Sequence, residues 1–178
     1  MTVYIILFRG VGGATQLPVK PLREKLTEAG LENVATYINS GNAVARSALP
    51  SDKVIAIVTE VCAREFGFDK AIYAPTLAEW RQLVGNNPFP DALDEPKFLH
   101  AAVLADEPDP ANVEMVRGYA VDGEQISVVG QVAYLHTPHG FGRSKMAEQF
   151  DKRIGVANTA RNWRTVLALR DLAEQVAG

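Results

Sequence analysis

Val34-Ala35-Thr36-Tyr37-Ile38-Asn39-Ser40-Gly41-Asn42-Ala43-Val44-Ala45 is the stretch on which the fold turns. Two short extended runs, 34–38 and 43–45, flank a tetrad of Asn, Ser and Gly, residues that favour tight turns, so the stretch predicts a β-hairpin. Its neighbours decide what kind of sheet it joins. Upstream, the apolar run 3–9 predicts a strand that ends in the loop Gly10-Val11-Gly12-Gly13. Leu22, Leu26 and Ala29 follow at helical spacing, with Pro18 at the first turn and Gly30 as the stop. Downstream, Ser51 and Asp52 open a helix striped by Ile55, Val58, Cys62 and Phe66, and 71–74 reads as a short strand. The order is strand, helix, strand, strand, helix, strand, which is the split βαβ arrangement.

The same order recurs further along. Thr76 and Glu79 form a capping box before a short helix with Leu77, Trp80 and Val84 on one side. Residues 85–96, rich in Gly, Asn, Pro and Asp, read as a connection. Then come a strand at 98–104, a helix opened by Asp109-Pro110, and a second hairpin around Gly130-Gln131. A helix opened by Ser144 carries Met146, Phe150 and Ile154, and an extended piece covers 155–158. Thr159 then caps a last helix with Val166, Leu169, Ala173 and Val176 inward. Gly41-Asn42 and Gly130-Gln131 echo each other between the hairpins. The expected architecture is α+β, a tandem duplication of ferredoxin-like (βαββαβ) subdomains with an extra C-terminal helix. Its boundaries are 1–84, a linker at 85–96, and 97–178.

Composition fits a globular chain. Of 178 residues, 47% are hydrophobic and 22% charged, which excludes disordered and collagen-like classes. No apolar run approaches the ~20 residues of a membrane-spanning helix. One cysteine, Cys62, excludes an internal disulfide and a multi-cysteine zinc site, so the expected location is cytoplasmic, without a membrane partner. Cys62 lies on an apolar stripe and reads as a packing residue. The net charge of −3 argues against a general nucleic-acid binder. Charge is segregated, however. Residues 143–170 hold seven cations against Glu148 and Asp151, leaving the rest of the chain acidic.

Five segments resemble one family. They are Arg9-Gly10 with Gly12-Gly13, Tyr37-Ile38-Asn39-Ser40-Gly41-Asn42, Asn87-Pro88-Phe89-Pro90, Pro138-His139-Gly140-Phe141-Gly142-Arg143-Ser144-Lys145, and Thr159-Ala160-Arg161-Asn162-Trp163-Arg164-Thr165. In this order they resemble the DUF1697 family of bacterial proteins over nearly the whole chain. The family's first loop usually carries two more residues, including an Asn, and is shortened here. The resemblance implies a duplicated ferredoxin-like fold and no established activity.

The chemistry on offer is anion recognition. A helix N-terminus carries about +0.5 of an elementary charge, so cations are ordinarily disfavoured there. Ser144 nevertheless sits between Arg143 and Lys145, and Thr159 precedes Arg161 and Asn162. Hydroxyls, cations and unpaired N–H groups together suit phosphate, sulfate or carboxylate. Arg9, Gly10, Asn39, Ser40 and Asn42 offer similar polar chemistry. The spacing of a Walker loop is absent, no nucleophile–base pair stands out, and His136 and His139 lack a third metal ligand. No cofactor is expected. The leading expectation is a small phosphate-bearing ligand, with a nucleotide or nucleic acid as a sub-case. The alternatives are an enzyme acting on that ligand and a non-catalytic protein-interaction module.

Overall fold

The computed structural model describes residues 1–12, 15–38 and 41–178. Contacts divide them into two units, Met1–Gln82 with Ala168–Gly178, and Leu83–Leu167.

In the first unit, β1 (Thr2–Phe8) is followed by α1 (Val19–Glu28), β2 (Glu32–Thr36), β3 (Asn42–Ser47), α2 (Ser51–Phe66) and β4 (Ile72–Tyr73). The strands form an antiparallel sheet in the order β2-β3-β1-β4. Successive strand side chains point to opposite faces, so Tyr4, Ile6 and Phe8 share one face of β1. They pack with Leu22 and Leu26 of α1 and with Val54, Val58, Val61 and Cys62 of α2. The α2 face is broader than the expected stripe: Ile55 and Phe66 lie only partly buried at its margin. Gly67, in the left-handed conformation, ends α2 by donating its N–H to the Ala63 carbonyl.

The capping box then starts α3 (Leu77–Gly85). The Glu79 carboxylate accepts the Thr76 N–H at 2.7 Å, and Thr76 Oγ1 accepts the Glu79 N–H at 3.2 Å. Leu77, Trp80 and Leu83 are the buried side chains of this helix, so Leu83 takes the place expected of Val84.

The second unit opens with two 3-10 turns, Pro90–Asp94 and Pro96–Phe98, within the expected connection. Then come β5 (Leu99–Leu104), α4 (Pro110–Arg117), β6 (Gln125–Val129), β7 (Val132–His136), a 3-10 turn at Phe141–Arg143, α5 (Lys145–Arg153) and β8 (Asn158–Asn162). The antiparallel sheet order is β6-β7-β5-β8. Ala102, Leu104, Ile126, Ala133 and Leu135 face Val113 and Val116 of α4 and Met146, Ala147 and Phe150 of α5. The Asp109 carboxylate accepts the Ala111 N–H at 2.9 Å and caps α4 as expected.

Equivalent bonds close each sheet within its own unit. Phe8 donates its N–H to the Gly41 carbonyl and Leu104 donates to Gln131, both at 2.9 Å. Arg9 donates to Ala71 at 3.0 Å and Ala105 to Ala157 at 2.8 Å. The counterpart of Gly41 is therefore Gln131, one residue later than the echo read from the sequence.

One further expectation needs correction. Thr159 does not cap a helix; it lies inside β8, opposite Val103 of β5. Pairing along β5 satisfies backbone groups over all of 158–162, where a cap at Thr159 would satisfy one or two. The last helix, α6 (Trp163–Ala177), starts instead at Asn162, whose Oδ1 accepts the Thr165 N–H at 3.0 Å. By their contacts, residues 85–96 group with the second unit and 168–178 with the first. Among the described residues, no helix is long and apolar enough to cross a membrane.

Cys62 is fully buried, and burial pushes its thiol up to about 12. The reactive thiolate is therefore scarce at neutral pH. A disulfide reagent is expected to modify Cys62 only as fast as the first unit opens, and denaturant should accelerate the reaction. Rapid stoichiometric labelling of the native protein at pH 7.5 would contradict this placement.

Candidate functional site

The start of α5 is built by the segment before it. Gly140 adopts φ +111°, a region that favours glycine, and lets the chain enter the Phe141–Arg143 turn. That turn is closed by Arg143 N–H to the Gly140 carbonyl and Ser144 N–H to the Phe141 carbonyl. Ser144 leaves the turn extended and accepts the Ala147 N–H on its Oγ at 3.1 Å, capping the helix as its sequence position suggested. The N–H groups ahead of Ala147 have no intrahelical acceptor. Around them lies an open hollow of about 420 Å³, lined by Phe141, Gly142, Arg143, Ser144, Lys145, Ala147 and Glu148.

The electrostatics of the hollow are mixed. Arg143 and Lys145 are exposed, and neither forms an ion pair among the described residues. Glu148 is tied to Lys152 at 2.8 Å, a bond that holds its carboxyl below the usual carboxylate range, with Lys145 adding a smaller effect. The one acid of the hollow thus has its own cation.

The remaining expected site residues divide between the units. In the second, Arg161 is in β8, not in a helical first turn. Its guanidinium donates to Thr159 Oγ1 at 2.6 Å and to the Ala160 carbonyl at 2.8 Å. Ala160 packs toward the α4–α5 core, so by strand alternation Thr159 and Arg161 lie on the opposite sheet face from α5. Lys145 and Arg161 therefore do not share a hollow. Asn162 is occupied in capping α6, whose first-turn cation is the exposed Arg164.

In the first unit, Arg9 and Gly10 follow β1, and Asn42 opens β3 beside them, paired with Leu7. Asn42 is only 2% exposed and aims its Nδ2 at the Tyr37 carbonyl, a long contact at 3.5 Å. It braces the hairpin and offers no solvent-facing amide. Asn39 and Ser40 lie outside the described residues.

Sequence reasoning missed an aromatic stack on Phe141, one of the residues that line the hollow. The His100 ring stacks on Phe141, with centroids 3.9 Å apart and planes 22° apart. His100 Nδ1 is buried without a hydrogen-bond partner, and burial lowers the ring to about 4. A lone strand histidine gave no sign of this. The only available signal was the Gly-Phe-Gly spacing, which places an aromatic immediately before a capped helix. His136 sits beside Phe89 at a centroid distance of 6.2 Å, and His139 Nε2 lies 3.1 Å from the Asp122 carbonyl. Among the described residues, no three of His, Cys, Asp and Glu gather as a metal site would need. Tyr134 donates its hydroxyl to the Leu83 carbonyl at 2.6 Å, and burial pushes that phenol up to about 12.

Comparison with known proteins gives one family and one fold. The family described as "Protein of unknown function (DUF1697)" matches residues 1–134. No curated protein matches the chain. Among solved structures, a conserved bacterial protein from Streptococcus pneumoniae is similar, with a TM-score of 0.71 over 97% of this chain and 98% of that one. At 20% identity that likeness shows the fold alone.

Proposed function

Since the chain belongs to the DUF1697 family, whose function is unknown, we propose a role from its own chemistry: it binds a phosphate-bearing or other anionic ligand at the start of α5. The observation that carries this reading is the hollow at 141–148, where a capped helix N-terminus opens between the unpaired cations Arg143 and Lys145. A negative guest would meet backbone N–H groups, the positive end of the helix and two mobile charges. Arg161 and Thr159, neighbours on β8 that are bonded to each other on the opposite sheet face, are left out of the site.

We also propose that both units are ferredoxin-like and arose by tandem duplication. The equal strand orders and the paired closing bonds at Phe8 and Leu104 support this.

Thermal shift against phosphate, sulfate and mononucleotides, each matched in ionic strength with chloride, tests the site. A ligand at a hundred times its Kd stabilises the folded chain by about 2.7 kcal/mol. Arg143→Ala with Lys145→Ala is expected to remove the shift while leaving the unliganded melting temperature nearly unchanged, since both side chains are exposed. Glu148→Gln should enlarge it by deleting the acid from the hollow. Equal shifts in the wild type and the double variant would refute the site.

A further inference from the structure

A sheet edge presents unpaired backbone groups, and proteins blunt such edges with charges, bulges, prolines or very short strands. Three of the four edge strands here carry such a device. β2 has a register shift between Glu32 and Ala35, β4 is two residues long, and β8 carries Arg161. β6 differs. Its five residues, Gln125-Ile126-Ser127-Val128-Val129, pair with β7 without a break and include no charge, proline or glycine. Gln125 and Val129 are exposed, the latter at 41%.

One contact reveals which backbone groups face outward. Arg117 donates a guanidinium N–H to the Ile126 carbonyl at 3.1 Å, so that carbonyl points away from β7. In an antiparallel ladder, hydrogen-bonded and non-bonded positions alternate. Val128, two residues on, therefore directs its N–H and carbonyl outward as well.

We propose that β6 pairs antiparallel with β6 of a second copy, about a two-fold axis at Ser127. This register sets Ile126 against Val128 of the other copy, matching the residues whose N–H and carbonyl groups point away from β7. It sets Gln125 against Val129, so no like charges meet along the ladder. Ile126 and Val128 both pack toward the α4–α5 core, and on pairing they join two such apolar strips. The segment is its own complement, and this self-match favours a second copy over an unrelated strand. Arg117 is the brake. It occupies the Ile126 carbonyl while pairing with Glu114, and must let go before the strands can bond.

Sedimentation of the full chain across a concentration series tests the interface. The wild-type weight-average mass should rise toward twice that of the protomer, and Arg117→Ala should reach half-dimer at a several-fold lower concentration. Val128→Pro removes one outward N–H and leaves the β6–β7 bonds in place, so it should remain monomeric. Circular dichroism and a thermal melt would check that it folds. Ser127→Lys, which brings two like charges together at the axis, provides an independent monomer. Wild type and Arg117→Ala both monomeric at the highest concentration would overturn the proposal. Dimers persisting in both Val128→Pro and Ser127→Lys would do the same.

Discussion

Gly41→Ala is expected to cost about 2–4 kcal/mol, from a strained backbone together with a steric clash. Gly41 holds φ +78°, where a non-glycine residue is strained. A Cβ built there would lie 2.6 Å from Val11 Cγ2 and 3.1 Å from both the Cβ and the carbonyl oxygen of Phe8. Val11 could turn aside, but Phe8 is fully buried, and its N–H bonds the Gly41 carbonyl at 2.9 Å. The hairpin therefore cannot swing away without losing that bond. Gly130 is the control. It also has positive φ, at +58°, but nothing lies within 4 Å of its would-be Cβ. Gly130→Ala should cost about 1 kcal/mol, from backbone strain alone. Urea denaturation of the two variants separates the terms, and equal losses would sink the packing argument. A loss of this size lowers the melting temperature of a chain this long by roughly 5–15 °C.

That contrast also explains what could be read in advance. The Ser-Gly-Asn element marked the hairpin because only a turn uses those residues together. The reason its glycine is needed, the approach of Phe8 and Val11, is a tertiary contact with no sequence signature. Strands 2–8 and 132–136 were legible from their apolar runs, and the Thr76–Glu79, Asp109 and Ser144 caps from local chemistry alone. Residues 155–162 were misread for a physical reason. Thr159 is a good cap and Asn158 a good turn residue, but β5 offers residues 158–162 a ladder of partners from His100 to Leu104, all more than 50 residues away. Local preference of about 1 kcal/mol yields to that pairing.

The site was legible to a similar depth. Arg143, Ser144 and Lys145 were found because cations at a helix start break the expected polarity, and that anomaly is visible in one dimension. Arg161 showed the same anomaly only while Thr159 was taken for a cap; once Asn162 holds that position, Arg161 becomes a strand residue bonded to its own neighbours. Arg9 and Asn42 do come to the same end of the sheet, as β1 and β3 are neighbours, yet burial turns Asn42 into a brace. Pattern alone does not distinguish a polar residue that serves a ligand from one that serves the backbone.

The second large effect is one of pH. His100 stacks on Phe141, one of the residues lining the α5 hollow, with Nδ1 buried and unpartnered among the described residues, and burial alone lowers its ring to about 4 from an ordinary value near 6.5. Above pH 6.5 the ring is neutral in both folded and unfolded chains and contributes no pH dependence. Between 6.5 and 4 the unfolded chain binds the proton and the folded one does not, so stability falls as pH falls. By pH 5 the loss from this group reaches at most about 2 kcal/mol, since the ring is not wholly enclosed. Glu148 and Glu174, each held below the usual range by a hydrogen-bonded cation, lose stability in the same direction at lower pH, so the wild-type profile alone is not diagnostic. His100→Phe separates them. The phenyl ring can keep the stack on Phe141, deletes the orphaned nitrogen and cannot titrate. Its stability should fall less than that of the wild type between pH 7 and 5, and the two curves should run parallel below pH 4. The His100 ring protons, followed by NMR, should titrate near pH 4 in the folded chain. Parallel stability profiles across the whole range, or a ring titrating near 6.5, would mean that water reaches the stack and that burial does not hold the ring neutral.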